Sequence, residues 1–342
     1  MERRWHNAPF AAGGQMSDAI VLKGVTKTFG PKVAVRDLDL VLPQGALYGF
    51  IGPNGAGKTT TIRMIMSILF PDQGEVSVLG HGSALEAKDR IGYLPEERGV
   101  YRKMKAGSFL TYVARLKGRE GRDVRKKVRE WLERVGLADV ENKKCEELSK
   151  GMQQKLQFIA TVIHEPDLLI LDEPFSGLDP VNMRLLRDLV LEQHARGATI
   201  IFSTHVMHQA EQICENIVMI NNGDKVLDES LPEIRAKYDP RTLLFEPLDP
   251  AADATVLGSL PGVQGVSKNN GAYEISLDEG YEPAPAMSAL IGRLAAARVE
   301  INRPTLEDVF IRIVTGDAAA GAEDVTRLRA ALRDETAAGG GK

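Results

Sequence analysis

Hydrophobic positions along the chain fall into short unbroken runs that alternate with stretches of helical spacing. Ala46–Ile51, Leu168–Leu171 and Thr199–Phe202 are brief apolar runs bounded by polar residues, the pattern of strands covered on both faces of a parallel sheet. Lys58–Leu69 follows the first run with the spacing of a helix. This alternation continues to about residue 235 and predicts an α/β domain. Between Gly107 and Ala160 the texture is helical: Val124, Val128, Trp131, Leu132 and Val135 recur at helix spacing among Arg, Lys and Glu. Their apolar stripe is read as the core of a helical subdomain inserted into the sheet domain.

The composition shifts near Tyr238-Asp239-Pro240. The run LFEPLDPAADA that follows reads as a linker or loop, because Pro and Asp favour turns. Asn269-Asn270-Gly271 before the alternating AYEISL predicts a hairpin. Two helices are expected beyond it, one around Met287–Ala297 and one opened by Thr305 with Asp308 three residues on, a capping-box pattern. A small α+β domain therefore fits 240–316, after a first domain over 18–239 whose helical subdomain spans about 98–165. Residues 1–17 and the Ala- and Gly-rich 317–342 are expected to be disordered, with Met16 an alternative start and VTRLRAALRD a weak helix.

Composition narrows the class of protein. The 342 residues exceed one average domain, and 43% hydrophobic with 26% charged residues is a globular balance. Basic and acidic residues number 43 and 47, a net charge of −4, so the whole chain has no electrostatic pull toward nucleic acid. Cys145 and Cys214 have no Cys or His neighbours at metal-ligand spacing and read as two reduced thiols of a cytosolic protein. A bilayer-spanning helix needs about 18 or more apolar residues in succession. The greasiest region, Leu156–Leu171, is interrupted by His164, Glu165, Pro166 and Asp167. A membrane role therefore has to come through a partner chain.

The chemistry is concentrated in a few runs. Gly52-Pro53-Asn54-Gly55-Ala56-Gly57-Lys58-Thr59 is a full G-x-x-x-x-G-K-[ST] match, placed between a predicted strand and a predicted helix. Glycines let backbone N–H groups converge on phosphate oxygens, and the helix that follows, continuing through Thr60, offers its positive end. Lys58 is expected to reach the β- and γ-phosphates and Thr59 to offer its hydroxyl to Mg²⁺. Leu168–Leu171 ends in Asp172 and Glu173, two carboxylates at a strand end. Asp172 suits the Mg²⁺ shell, and Glu173 suits polarising an attacking water.

With Leu148-Ser149-Lys150-Gly151-Met152 between those two motifs, the chain resembles the ATP-binding cassette (ABC) family. The run is similar to the family's LSGGQ signature, although alone it reads as a Ser N-cap. Ser176-Gly177-Leu178-Asp179 resembles the D-loop, and Ser203-Thr204-His205 the switch histidine. Phe29 stands where the family has its adenine-stacking aromatic, with core packing as the rival reading. Two departures stand out. Gly92-Tyr93-Leu94-Pro95 is followed by Glu96 where the family carries the Q-loop Gln, and the signature has Lys150 and Met152 in place of Gly and Gln. Glu96 is still an oxygen donor for Mg²⁺. LSKGMQQKLQ and PEERG are similar to runs of the ABC-2 type exporter subgroup, including sodium-export-like members. PTLEDVF near residue 310 resembles that subgroup's C-terminal accessory domain.

The resemblance implies the α/β fold of an ABC-type P-loop NTPase. Its core sheet is mixed or parallel, with an antiparallel β part near the N-terminus and an inserted helical subdomain, and a small α+β domain follows. It implies an ATPase whose ATP and Mg²⁺ are sandwiched in a head-to-tail dimer. Gly52–Thr60, Phe29, Glu96 and Asp172 would hold one nucleotide, with Glu173 and His205 catalytic. Ser149, Lys150, Gly151 and Met152 would contact the partner's ATP, and Ser176–Asp179 would cross the dimer. The implied partners are a second ABC subunit and integral membrane permease subunits, with no nucleic acid. The implied place is cytoplasmic, peripheral on the inner face of the membrane. The rival reading is a soluble ABC ATPase acting on DNA or ribosomes. Such proteins carry two cassettes, long coiled coils or zinc modules, none of which this sequence has.

Overall fold

The computed structural model describes residues 17–315 except 98, 122, 239, 240, 253 and 270. The expected N-terminal extension up to residue 16, the tail from 316 with its weak helix, and residues 239 and 240 of the composition shift lie outside the described residues. The chain forms two compact units, the first ending at Asp228 and the second starting at Glu229.

In the first unit, β1 (Asp18–Phe29), β2 (Lys32–Pro43) and β4 (Gln73–Val78) form an antiparallel sheet in the order β2-β1-β4. Between them in sequence come β3 (Leu47–Ile51) and α1 (Lys58–Ile65), and β5 (Ile91–Leu94) follows. Helices α2 (Ala106–Leu116), α3 (Asp123–Arg134) and α4 (Lys150–Val162) make up the helical part. Then come β6 (Leu168–Asp172), α5 (Pro180–Ala195), β7 (Thr199–Thr204), α6 (Met207–Ile213), β8 (Asn216–Asn221) and β9 (Asp224–Ser230). The second sheet runs β5-β6-β7-β3-β8-β9. Pairings within β5, β6, β7, β3 and β8 are all parallel.

Every residue of β6 and of β7 is buried. Their unbroken apolar pattern is the consequence, because helices cover both faces of such a sheet. One core joins the two sheets through α1: Ile20, Leu40 and Val78 pack with Ile62, Phe50, Ile170 and Val218. The predicted strands and the stripe of α3 are found, with Val124, Val128, Trp131 and Leu132 buried. The helix expected to reach Leu69 stops at Ile65, because Ser67 takes a left-handed conformation (φ 53°) that turns the chain.

The second unit holds α7 (Leu231–Tyr238), β10 (Thr242–Pro247), β11 (Val263–Asn269), β12 (Ala272–Leu277), α8 (Pro283–Arg293), β13 (Ala296–Asn302) and α9 (Leu306–Thr315). Its antiparallel sheet runs β11-β12-β10-β13. The predicted hairpin is present, Asn269 pairing with Ala272. Thr305 and Asp308 exchange the two bonds of a capping box at the start of α9, with N···O distances of 3.2 and 3.1 Å.

Two expectations are corrected here. LFEP is no linker: it lies in β10, an interior strand whose Leu243 and Phe245 are fully buried among Leu257, Ile275 and Leu290. Alternation of these side chains outweighed the turn signal of Pro247, which sits at the strand end, where the ring's missing donor costs little. The helix expected over Met287–Ala297 ends at Arg293, and Ala296–Asn302 pairs with β10 as an edge strand.

Candidate functional site: a phosphate loop beside two strand-end carboxylates

The loop between β3 and α1 is shaped by positive φ angles that only glycine adopts at no steric cost. Gly52 has φ 153°, and a Cβ there would lie 2.1 Å from the Ile220 carbonyl oxygen. Gly57 caps α1 with φ 114°, and a Cβ there would lie 2.4 Å from the Ala34 carbonyl. Lys58 is buried with its ammonium 2.7 Å from Gly52 O and 3.0 Å from Pro53 O, so it is folded inside the loop. The first N–H groups of α1 have no acceptor within their own helix, which makes this terminus a natural anion site.

A cavity of about 380 Å³ opens on this loop. Among the residues around it are Asn54, Gly55, Lys58, Thr59 and Thr60 from the loop and α1, and Glu96, Asp172 and Glu173 from the strand ends. Phe29 and Lys32, at the β1–β2 turn, complete it. Parallel pairing explains the convergence. In a parallel sheet all strands end on the same side, and the ends of β3, β5, β6 and β7 lie side by side. Phe29 is 50% exposed, which rules out the core-packing reading. Lys27 sits 5.7 Å from its ring centroid and is held by Asp72 at 2.6 Å.

Asp172 and Glu173 are adjacent but differently held. Asp172 is 1% exposed, and burial raises its carboxyl to about 6, with the charges of Glu173 and Glu96 adding to the effect. The hydroxyls of Ser203 and Thr59 face it and pull the other way. Yet neither carboxylate oxygen, nor Ser203 Oγ, has a hydrogen bond of normal geometry among the described residues. A buried carboxylate with unmet oxygens, facing the Thr59 hydroxyl and Glu96, is a hard-oxygen donor set that suits Mg²⁺. No group of three or more His, Cys, Asp or Glu side chains among the described residues forms a metal site alone, so phosphate oxygens and water would have to complete the shell.

Glu173, by contrast, is fully engaged. It stands in the left-handed region (φ 49°) directly after β6, and such a conformation in a non-glycine residue is held in place only by its surroundings. Its N–H donates to Ser203 O (2.9 Å). Oε2 accepts from Thr204 Oγ1 (3.1 Å), Oε1 accepts from the His205 N–H (2.8 Å), and His205 Nδ1 lies 2.6 Å from Oε1. Ser203, Thr204, Lys32 and Ala34 are residues here to which sequence reading assigned no role of their own. The signal for Thr204 was its place directly before His205 at the end of β7.

Ser149–Met152 begin α4 instead. Ser149 caps that helix, its Oγ accepting from Met152 N at 3.3 Å, so the N-cap reading is met within the chain. Lys150 is exposed. The Ser176–Asp179 segment lies beside this helix start, Leu178 facing Gly151. Asp179 caps α5, accepting from Val181 N and Asn182 N at 3.0 Å.

Fold and cavity together define a P-loop nucleotide-binding domain. A family model described as ABC transporter matches residues 35–176, and one described as ATP-binding protein DrrA1-3-like, C-terminal domain matches 230–314. The chain is 42% identical to the uncharacterized ABC transporter ATP-binding protein YhaQ of Bacillus subtilis, over 86% of this chain and 98% of that one. It is 32% identical to the daunorubicin resistance ATP-binding protein DrrA3 of Streptomyces coeruleorubidus, over 87% and 96%. A solved ATP-binding subunit of an ABC transporter superposes with a TM-score of 0.60 at 29% identity, over 64% of this chain and 93% of that one. This chain belongs to the ABC transporter ATP-binding protein family and carries its ATP-binding subunit function. No helix among the described residues is long and apolar enough to cross a membrane.

Proposed function

We propose that the chain hydrolyses ATP as the motor subunit of a membrane exporter. The observation that carries the hydrolytic part is the Glu173 carboxylate, fixed by Thr204 and His205 at the mouth of the phosphate-loop cavity. A positioned carboxylate of this kind acts as the base toward water, worth about 10²–10⁴ in rate. Lys58 and the loop amides bind the β- and γ-phosphates, and Phe29 stacks on the base. Thr59, Asp172 and Glu96 would hold Mg²⁺, which would supply positive charge to offset that of the phosphates. His205 orients Glu173.

Ser149, Lys150, Gly151 and Met152 contact the ATP of a second cassette subunit in a head-to-tail dimer, and Ser176–Asp179 cross between the two. ATP that bridges both faces favours closure, and hydrolysis releases it. The exporter reading is supported by the relative whose name ties it to daunorubicin resistance. Membrane permease subunits dock near Glu96 and the stretch from Tyr101 to Tyr112, where Tyr101 is packed edge-on against Phe109 and Tyr112 while remaining exposed. The chain then sits on the cytoplasmic face of the membrane without entering it.

Glu173→Gln tests the core of this reading. ATP binding should persist while turnover falls about 10²–10⁴-fold, and an ATP-bound dimer should accumulate in size-exclusion runs. Hydrolysis near the wild-type rate would remove Glu173 from its role. Copurification from membranes tests the partner: a multi-span permease is expected, whereas ribosomal proteins or DNA would favour the soluble alternative.

A further inference from the structure

Helix α4 carries two buried glutamines three residues apart, Gln154 and Gln157, about 3% and 5% exposed. Residues at that spacing share one helix face. Both follow the Leu148–Met152 signature-like residues, inside the LSKGMQQKLQ run that carries the subgroup resemblance but was given no role beyond it. Lys, Glu or Gln in this kind of apolar setting is unusual unless it has partners. Each carboxamide nitrogen donates to a backbone carbonyl of a different loop. Gln154 Nε2 donates to Pro174 O at 2.8 Å, directly after Glu173. Gln157 Nε2 points between Pro95 O (3.5 Å) and Glu97 O (3.3 Å), the two residues that bracket Glu96. One turn further on, Thr161 Oγ1 lies 3.4 Å from Tyr93 O, continuing the contact along β5.

The same helix begins at Ser149, where Gly151 faces Leu178. Along one rigid element the chain thus lines up the helix start, the turn that follows the Glu173 carboxylate, and the loop that carries Glu96. Glu173 sits in a left-handed conformation, so its turn needs external fixing. Gln154 supplies a side-chain bond that reaches this turn from α4, independently of Thr204 and His205.

Resting on the proposed ATPase reading, we infer that Gln154 and Gln157 are positioning residues: Gln154 sets the Glu173 turn and Gln157 sets the Glu96 loop, both from the helix whose start closes on the other subunit's ATP. Movement of that start on dimer closure is transmitted by α4 to this chain's own base and cation ligand. The two ATP sites are linked by one helix, with no contact between the nucleotides.

The test uses the full-length chain and the variants Gln154→Met and Gln157→Met, which keep length and approximate volume and lose the donor. Gln154→Met is expected to lower kcat at least tenfold, with ATP affinity in EDTA, read by displacement of a fluorescent ATP analogue, within twofold of wild type. Gln157→Met is expected to raise the Mg²⁺ concentration for half-maximal activity at least threefold, with kcat largely recovered at saturating Mg²⁺. A merely structural role would lower both activities together, in step with melting temperature, and that result overturns the inference. So does no change in either variant. If Gln154→Met does not fold, Gln157→Met still decides, since its arm is read separately. Its Mg²⁺ dependence is also measured as nucleotide binding in the Glu173→Gln background, where no turnover is needed. A shift there in a chain whose wild type lacks ATPase activity would sink the ATPase reading and leave the Gln157 arm standing.

Discussion

The phosphate loop and the signature-like run are both helix starts, yet the chain treats them differently. At Gly52–Thr59, Gly52 and Gly57 leave no room for a Cβ, and the helix N–H groups face an open cavity lined with Lys58, Glu96, Asp172 and Glu173. At Ser149–Met152 the helix start is already capped by its own serine, and Gly151 has a normal φ with only Leu178 within reach of an added Cβ, at 3.5 Å. One start is strained and specialised for a ligand within the chain. The other is relaxed, and nothing in its own fold demands a glycine. In the proposed dimer a second subunit's nucleotide approaches this start, and a glycine there would leave room for it.

The sharpest way to break this comparison is to damage the two starts separately and then mix the chains. Lys58→Ala removes the loop's cation, and Gly151→Asp places a carboxylate at the other start, where an added Cβ meets only Leu178 at ordinary van der Waals distance. Each alone is expected to cut turnover about 10²-fold or more, the scale of losing one preorganised electrostatic contact to the reacting phosphate. Mixed in equal amounts, the two variants form some dimers with one intact composite site, and turnover should rise at least tenfold above either alone. The double variant Lys58→Ala/Gly151→Asp mixed with wild type forms hybrid dimers with no intact site. No rise on mixing the two single variants, while the mixture of double variant and wild type stays active through its wild-type chains, would mean that the two starts do not meet across a dimer.

The same contrast explains what could be read from sequence. The phosphate loop and the Leu168–Glu173 strand are contiguous runs whose chemistry needs only their own residues, and both lie where their spacing predicted. The fixing of Glu173 was not legible, because Thr204 and His205 meet it only through the parallel pairing of Asp172 with Ser203. Gln154 was equally silent: its partner is a backbone carbonyl twenty positions away, and carbonyls leave no mark in composition. In the second unit, LFEP looked like a linker because Pro247 and Asp249 signal turns, while the burial of Leu243 and Phe245 depends on α8 and β12 packing over them. Ala296–Asn302 is Ala-rich enough to continue a helix, and only its pairing with β10 made it a strand.

A second prediction concerns strain stored in the ligand-binding half. Asp172 carries a carboxyl raised from 3.8 to about 6, mostly by burial. The folded chain therefore holds this proton more tightly than the unfolded chain does, so the ionised form opposes folding above about pH 6 and the opposition disappears below the unfolded value near 4. Asp172→Asn should be more stable than wild type at pH 8 in EDTA, by up to about 3 kcal/mol, because one pKa unit corresponds to about 1.4 kcal/mol. The advantage should shrink as pH falls from 6 to 4. Chemical denaturation at pH 8 and pH 4.5 reads both values. A stability gain of equal size at the two pH values would show that burial of the charge is not its cause.

The smallest expected effect tests the outer edge of the cavity. Phe29 is half exposed, and one side of its ring is occupied by Lys27, which Asp72 holds in place. That hydrogen bond with Lys27, with further ones from Thr28, keeps the Asp72 carboxyl down at about 2, so Asp72 stays ionised throughout the working pH range. The ring is thus fixed from one side before any base arrives, and little ordering cost remains when it stacks. Phe29→Ala should weaken ATP binding by about 1 kcal/mol, close to fivefold, and Phe29→Tyr should leave it within twofold. Stacking is tolerant of base identity because every base presents a π-face. GTP should therefore lose as much affinity as ATP, measured by competition with the same fluorescent analogue. A loss confined to ATP would mean that Phe29 shapes a pocket that reads the base edge, and the phosphate-loop half would then recognise the nucleotide at both of its ends.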